Sequence, residues 1–477
     1  MHVTCVTKGG AFFMRAKHIL ASMTKKAPPK VAAPAASNLI SLEPPSGTRD
    51  FFPEDMRFRT WLFDSWRKTA SSFGFQEYDA PVLENEELYK RKAGEEITDQ
   101  MYNFVDKEGA KVTLRPEMTP TLVRMVMSRM RMAGETVQMT DVLPLKWFST
   151  PQCWRFETTQ RGRKREHFQW NCDIIGVKEA TAELELLSTI VSFFESLGLS
   201  SSDVGIKVNS RKIMGAALKQ AGINENDFAK VCVIVDKMDK IGAVEVTKLL
   251  TSGELSLDDA TAAKVVAAVS KDFSLEANAT LDGVPELEKL LTLSEKAGIR
   301  DWLIFDPSVV RGLAYYTGIV WEAFDRRGVL RAIAGGGRYD ALFSLYGAPK
   351  PVPCVGFGLG DCVIMELLKE RNLMPNLPHG VDFVVAAYPG SYPEALNVAR
   401  NLRLAGCTVD MYLEDAKKVG NVFKFADKVG ARLMAFVAPG ELEKGMVRIK
   451  DLRGGAEGQR IEKDVPLDDL ANYRKYF

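Results

Sequence analysis

Residues 153–173 read CWRFETTQRGRKREHFQWNCD. The run Cys153-Trp154-Arg155-Phe156-Glu157 is extended in character. A loop with Arg161, Arg163, Lys164 and Arg165 follows, and His167-Phe168-Gln169-Trp170-Asn171-Cys172-Asp173 returns. Two strands joined in this way set Arg155 over a phosphate and let the loop cations meet further phosphates, because a guanidinium fork matches phosphate oxygens. Side chains of a strand alternate between faces, so Gln169, Asn171 and Asp173 share one face, and Gln169 and Asp173 can line one pocket. For the loop alone, a solvated basic hairpin is the plainer account. That account is weaker for polar residues inside a strand flanked by Trp170 and Ile174.

Working outward, the periodicity predicts a helix over Asp55 to Phe73 (Met56, Trp61, Phe63, Trp66), ended by Gly74, then an extended segment from Tyr78 to Leu83. Tyr102–Val105 and Lys111–Leu114 flank Asp106-Lys107-Glu108-Gly109 as a hairpin, and Pro116 opens a helix towards Met130. Further strands are expected at Lys146–Phe148, Phe168–Ile175, Tyr315–Ala323 and Leu330–Ala334. Hairpins with few intervening helices imply an antiparallel sheet with flanking helices, an α+β class. Between Val204 and Gly298 the pattern turns mostly helical and reads as an inserted unit. After Pro375 strand and helix alternate (Val381–Tyr388, Glu394–Gly406, Thr408–Leu413, Val419–Val429, Leu433–Ala438), which reads as a small parallel α/β domain.

The expected domains are therefore an N-terminal extension (1–45), a first core part (46–203), a helical insertion (204–298), a second core part (299–375) and a C-terminal α/β domain (381–477). A chain of 477 residues is long enough for several such units. No apolar run approaches the ~18 to 20 residues of a membrane helix, so no membrane partner is expected. Seven cysteines without CxxC spacing and four histidines offer no dedicated metal-ligand cluster. With a net charge of +1, any nucleic-acid surface has to be local. Residues 1–42 hold Arg15 and several lysines but no acidic residue, which fits a transit peptide as well as a disordered Ala/Pro/Lys extension. Met14 and Met23 are alternative starts.

Two more segments carry chemistry. Thr113-Leu114-Arg115-Pro116-Glu117-Met118-Thr119 lies where a strand gives way to a helix, so Glu117 and Thr119 can project there; a carboxylate at a helix start is also merely stabilising. Arg311-Gly312-Leu313-Ala314-Tyr315-Tyr316 precedes two glycine runs, Gly335-Gly336-Gly337 and Gly356-Phe357-Gly358-Leu359-Gly360. Such glycines let backbone or ligand approach closely, although most such runs are turns. No Rossmann unit surrounds them.

Together these segments resemble the class II aminoacyl-tRNA synthetases. Arg311 to Tyr316, with Thr113 to Glu117, narrows the likeness to the histidine-specific family, from about Ser46 to the carboxyl terminus. The segment Gly74 to Glu84 resembles the first class motif, which helps build a homodimer interface, and Arg155 to Asp173 the second. The resemblance implies ATP-dependent joining of L-histidine to tRNA(His) through a histidyl-adenylate, with Mg²⁺ held mainly by ATP. It implies a class II antiparallel sheet, a helical insertion leaning on the tRNA, and a C-terminal anticodon-binding domain.

The implied histidine contacts are Glu117, Thr119 and Gln169 at the ammonium, and Asp173 with Tyr316 at the imidazole, Tyr315 lying beside them. ATP falls to Arg155, Glu157, Arg163, His167 and Arg311, with Arg155 and Arg311 catalytic at the α-phosphate. A neutral imidazole has one donor and one acceptor, so an anionic acceptor opposite a donating phenol reads histidine. The Gly356 to Leu368 segment lacks the arginine of the third class motif; Val363 falls near its place, and Arg338 is no clear substitute. The expected location is cytoplasmic, with the extension able to send the protein to mitochondria as well. The rival is a non-catalytic synthetase-like regulator that binds tRNA or histidine; retention of both the pocket residues and the anticodon domain argues against it.

Overall fold

The computed structural model describes residues 40–91, 98–132, 142–235, 237–270, 272–309, 315–454 and 461–477. Met1–Pro45 and Ser46–Phe477 are separate units, and every element below belongs to the second. Of the expected N-terminal extension, residues 1–39 lie outside the described residues, as does Arg311-Gly312-Leu313-Ala314.

Up to Gly360 the strands are β1 (Gln76–Glu77), β2 (Leu83–Asn85), β3 (Tyr102–Val105), β4 (Lys111–Leu114), β5 (Leu145–Ser149), β6 (Gln152–Trp154), β7 (Glu166–Ile175), β8 (Val204–Ser210), β9 (Leu303–Phe305), β10 (Ile319–Asp325), β11 (Ala334–Arg338) and β12 (Cys354–Gly360). Among the described residues they build a nine-stranded sheet in the order β1-β5-β7-β12-β11-β10-β8-β9, with β6 paired to β7, and a small β2-β4-β3 sheet. Only the end pairs β1–β5 and β8–β9 of the large sheet are parallel. The expected antiparallel α+β architecture holds.

One face of this sheet is apolar and covered by helices. Trp170, Cys172 and Ile174 of β7 and Val355, Phe357 and Leu359 of β12 are buried with Trp66 of α1 (Pro53–Ser72) and Phe193 of a central helix (Thr181–Ser196). Trp66 stacks on Trp170 at 6.3 Å, and Trp170 meets Phe357 edge-on at 5.1 Å. Each such side chain contributes roughly 1.5–3 kcal/mol by burial. Helix α1 starts with Pro53 in its first turn followed by Glu54 and Asp55, and stops before Gly74, whose φ of 77° only glycine adopts easily.

Three expectations need correction. Val204–Ser210, placed by its sequence neighbourhood in the helical insertion, is a strand between β10 and β9. Val204, Ile206 and Val208 are fully buried on the helix-covered face, and that alternation won. The helical unit with its own core runs instead over Arg211–Gln220, Glu225–Val235, Met238–Thr251 and Asp259–Ala268, joined through Leu218, Val231, Leu250 and Val265. The strand expected at Leu330–Ala334 lies at Ala334–Arg338, so Gly335-Gly336-Gly337 is strand and not turn. Finally, the C-terminal sheet is mixed: β13 (Phe383–Ala387), β14 (Val409–Met411) and β15 (Leu433–Val437) are parallel, while β16 (Met446–Asp451) and β17 (Glu462–Pro466) add antiparallel edges. Among the described residues no helix is long and apolar enough to cross a membrane.

Candidate functional site

The opposite face of the large sheet carries the polar residues of β7, and part of it is closed by Leu122, Val123 and Val126 of the helix Thr119–Met132. Gln169, Asn171 and Asp173 stand directly opposite Gly360, Gly358 and Gly356 of β12, and Gly356 and Gly358 stand opposite Gly337 and Gly335 of β11. Directly opposed residues of antiparallel strands project to the same side. The glycines therefore clear the face next to the β7 side chains. A Cβ at Gly356 would lie 1.9 Å from Asp173 Oδ1, one at Gly358 2.5 Å from Gln169 Nε2, and one at Gly337 2.9 Å from Tyr316 Cδ1. Asp173 and Tyr316 thus flank two opposed glycines across a floor without side chains.

Four hydroxyls and carboxylates converge around this floor. Tyr339 donates to Asp173 Oδ1 at 2.6 Å, and burial together with the Asp173 charge holds its phenol protonated, well above the ordinary range. Tyr315 reaches Glu117 Oε2 at 3.4 Å, a long contact. Its ring lies 4.8 Å from Tyr316 and 5.9 Å edge-on from Tyr339. Glu117, Thr119, Asp173, Tyr315, Tyr316 and Tyr339 are all at least nine-tenths buried. The structure brings the sequence-predicted Glu117, Thr119, Gln169, Asp173, Tyr315 and Tyr316 to one side of the sheet.

The segment that carries Glu117 is held from below. Buried Arg115 donates to Ala80 O at 2.6 Å and Gln152 O at 2.9 Å, and Tyr89 donates to Glu117 O at 3.2 Å. Arg155 Nε donates to Pro116 O at 2.9 Å, which ties the arginine-rich loop to the Glu117 segment. The helix after this segment begins at Thr119, later than the expected Pro116.

The loop is ordered by internal pairs. Glu157 is bound by Arg163, so these two expected ATP residues are each other's partners here. Arg161 spans to Glu366 at 2.9 Å and Glu370 at 2.7 Å on the helix after β12. Gly162 lies against Val363, the position where a third-motif arginine was sought. Arg338 faces away from the site: it is 2% exposed and grips Glu183 Oε1 at 2.6 Å and Oε2 at 2.7 Å. It is not available to a nucleotide base.

His167 is partly buried, and burial, with the cations Arg155, Arg49 and Arg163, pulls its pKa down to about 3 from 6.5. As pH falls the unfolded chain binds this proton first, so folding stability is lost between pH 6.5 and about 3. His167→Phe is expected to flatten that part of the stability profile in urea unfolding at stepped pH. An unchanged slope would show that other groups set it.

Sequence reasoning missed Tyr339 and the purpose of the glycines. The signal was present: Gly356, Gly358 and Gly360 recur at the strand period of two.

The chain is similar to known proteins over most of its length. The family model "Histidyl-tRNA synthetase" matches residues 47–360, and "Anticodon binding domain" matches residues 382–475. The "Histidine--tRNA ligase, chloroplastic/mitochondrial" of Arabidopsis thaliana is 48% identical over 434 residues, covering 90% of this chain and 86% of that protein. The "Histidine--tRNA ligase" of Opitutus terrae is 38% identical over 442 residues, covering 90% and 98%. The crystal structure of histidyl-tRNA synthetase from a Nostoc species superposes with a TM-score of 0.71 at 24% identity, covering 92% of this chain and 99% of that one.

Proposed function

Because this chain belongs to the histidyl-tRNA synthetase family, we propose that it joins histidine to tRNA(His) in two steps on the glycine-floored face. It is a class II aminoacyl-tRNA synthetase, a histidine–tRNA ligase. The observation that carries the siting is the buried Asp173 carboxylate beside Tyr316, across the opposed Gly356 and Gly337.

In this reading Glu117, Thr119 and Gln169 hold the ammonium of histidine. Asp173 accepts from one ring nitrogen and Tyr316 donates to the other. Tyr339 donates to one carboxylate oxygen of Asp173, which fixes the orientation of the carboxylate. Arg155 and Arg311 hold the α-phosphate while the histidine carboxylate attacks phosphorus and pyrophosphate leaves. Glu157, Arg163 and His167 complete the ATP side. A tRNA ribose hydroxyl then attacks the carbonyl of the adenylate, and AMP leaves. The main contribution of the protein is positioning and charge stabilisation. Among the described residues no three His, Cys, Asp or Glu side chains form a metal cluster. In this reading Mg²⁺ is held mainly by the phosphates of ATP, where it would supply charge neutralisation.

The test is histidine-dependent ATP–pyrophosphate exchange by the purified chain. No exchange would favour a regulator that binds without catalysing. Asp173→Ala is expected to raise the KM for histidine and leave that for ATP nearly unchanged, since the lost ring partner is worth ~1 to 3 kcal/mol. Gly356→Ala should act in the same direction, because its Cβ would displace the Asp173 carboxylate. An equal rise in the KM for ATP would remove Asp173 as the partner of the ring.

A homodimer belongs to this reading. It is supported by Leu83, Phe104 and Val105, which lie exposed on the small β2-β4-β3 sheet, and sedimentation of the purified chain checks it. The basic, acid-free residues 1–42 support delivery to an organelle, alongside a cytoplasmic form begun at Met14 or Met23. Microscopy of fluorescent fusions with and without these residues separates the two.

A further inference from the structure

Ser46–Phe51 runs outside any helix or strand against the arginine-rich loop. The carbonyl of Gly47 accepts from Arg165 N at 2.9 Å, and that of Ser46 accepts from Arg165 Nη1 at 3.2 Å. Gly47 has a φ of 86°, and a Cβ there would lie 2.7–2.9 Å from Arg165 and Thr159 side-chain carbons. The loop has room for this strap only because residue 47 is glycine.

Two residues on, Arg49 bridges two elements that lie side by side in the sheet. Its Nε pairs with Glu166 Oε1 at 3.0 Å and its Nη1 with Asp361 Oδ2 at 2.9 Å. Glu166 is the first residue of β7, and its other oxygen accepts from Gln152 of β6 at 2.9 Å. Asp361 follows the last residue of β12, and its Oδ1 accepts from Phe168 N at 3.0 Å. Both carboxylates are almost wholly buried, whereas Arg49 keeps about a fifth of its side chain exposed. Burial opposes the Arg49 charge, yet Asp361, Cys362 and Glu166 hold its pKa above the ordinary value. Arg155 N donates to Arg165 O at 2.8 Å, so the two ends of the loop are also joined. What fixes Glu166 therefore fixes Arg155.

We propose that Arg49 is a positioning residue for ATP: by clamping the start of β7 to the end of β12, it sets the place of the 155–165 loop against the phosphates. This rests on the reading of that loop as the ATP-binding element. Arg49 touches no substrate in this arrangement and acts through Glu166, Asp361 and the loop backbone. A bidentate fork is required, since one ammonium cannot meet both carboxylates in the same geometry.

The experiment measures pyrophosphate exchange, with separate ATP and histidine titrations and melting temperature, on the full chain. Exchange by the unaltered protein comes first; its absence would remove the underlying reading, not the role of Arg49. Arg49→Gln is expected to raise the KM for ATP about tenfold or more, the scale of a lost charged hydrogen bond, with the KM for histidine within about twofold. Arg49→Lys should fall between the two. The double variant Arg49→Gln, Asp361→Asn relieves a buried carboxylate of its missing cation, so its melting temperature should recover while the KM for ATP stays high. An equal rise in both KM values, or a double variant that restores the KM for ATP along with the melting temperature, would overturn the proposal and leave Arg49 a purely stabilising residue.

Discussion

Arg311→Ala is expected to lower kcat for histidine-dependent pyrophosphate exchange by ~10² or more with only modest changes in KM, the scale of losing one preorganised charge-stabilising group. As the adenylate forms, negative charge grows on the α-phosphate oxygens, and a fixed guanidinium there stabilises the transition state more than the ground state. Arg311 lies outside the described residues; in sequence it opens the Arg311 to Tyr316 signature that contains Tyr315 and Tyr316. The competing account pairs Arg311 with an acid near Asp306. Asp306 is already engaged: it binds Lys207 at 2.8 Å and Ser308 Oγ at 2.5 Å. Single-turnover adenylate formation read together with melting temperature separates the two accounts. A destabilised variant that keeps its rate would remove Arg311 from the catalytic set.

Arg338→Met is expected to destabilise the fold by about 3 to 5 kcal/mol, the cost of leaving one partner of a buried ion pair alone. Glu183 has no exposed side-chain surface, and Arg338 meets both of its oxygens. Arg338 also donates to Val177 O at 2.8 Å, so a carbonyl loses its donor too. Burial already pushes the Glu183 carboxyl up in pKa, with Arg338 pulling it back; without the guanidinium it would take a proton. Urea unfolding measures the loss. The double variant Glu183→Leu, Arg338→Met should recover most of it, because a matched apolar pair leaves no buried charge. Failure to recover would place the energy in the carbonyl contacts instead. Exchange activity should fall with the single variant, since Gly337 and Tyr339 are the chain neighbours of Arg338.

The hairpin at Tyr102–Leu114, the long first helix and the alternating C-terminal elements were legible because each follows a local rule: turn chemistry, the 3.6-residue period, the period of two. The β7 strand was legible for the same reason, and with it Gln169 and Asp173. Val204–Ser210 was misplaced because one strand between helical segments is outvoted in any window wider than itself. The glycine strands were misread because glycine has low strand propensity, and on one side β12 pairs with a strand more than a hundred residues away, Asp173 standing opposite Gly356. Tyr339 was overlooked for a related reason. It follows β11, and only the tertiary fold shows that its hydroxyl reaches Asp173.

The glycine-lined part of the sheet also has an entropic side. Gly335 and Gly337 on β11 and Gly356, Gly358 and Gly360 on β12 withhold packing from two adjacent central strands, and each glycine in a strand interior forfeits roughly 0.5–1 kcal/mol relative to alanine. A ligand that binds only the folded chain adds about 2.7 kcal/mol at a hundred times its dissociation constant. On the proposed siting, histidine and ATP should therefore raise the melting temperature of the chain, and the rise measures how much cohesion the ligands add at these glycine strands.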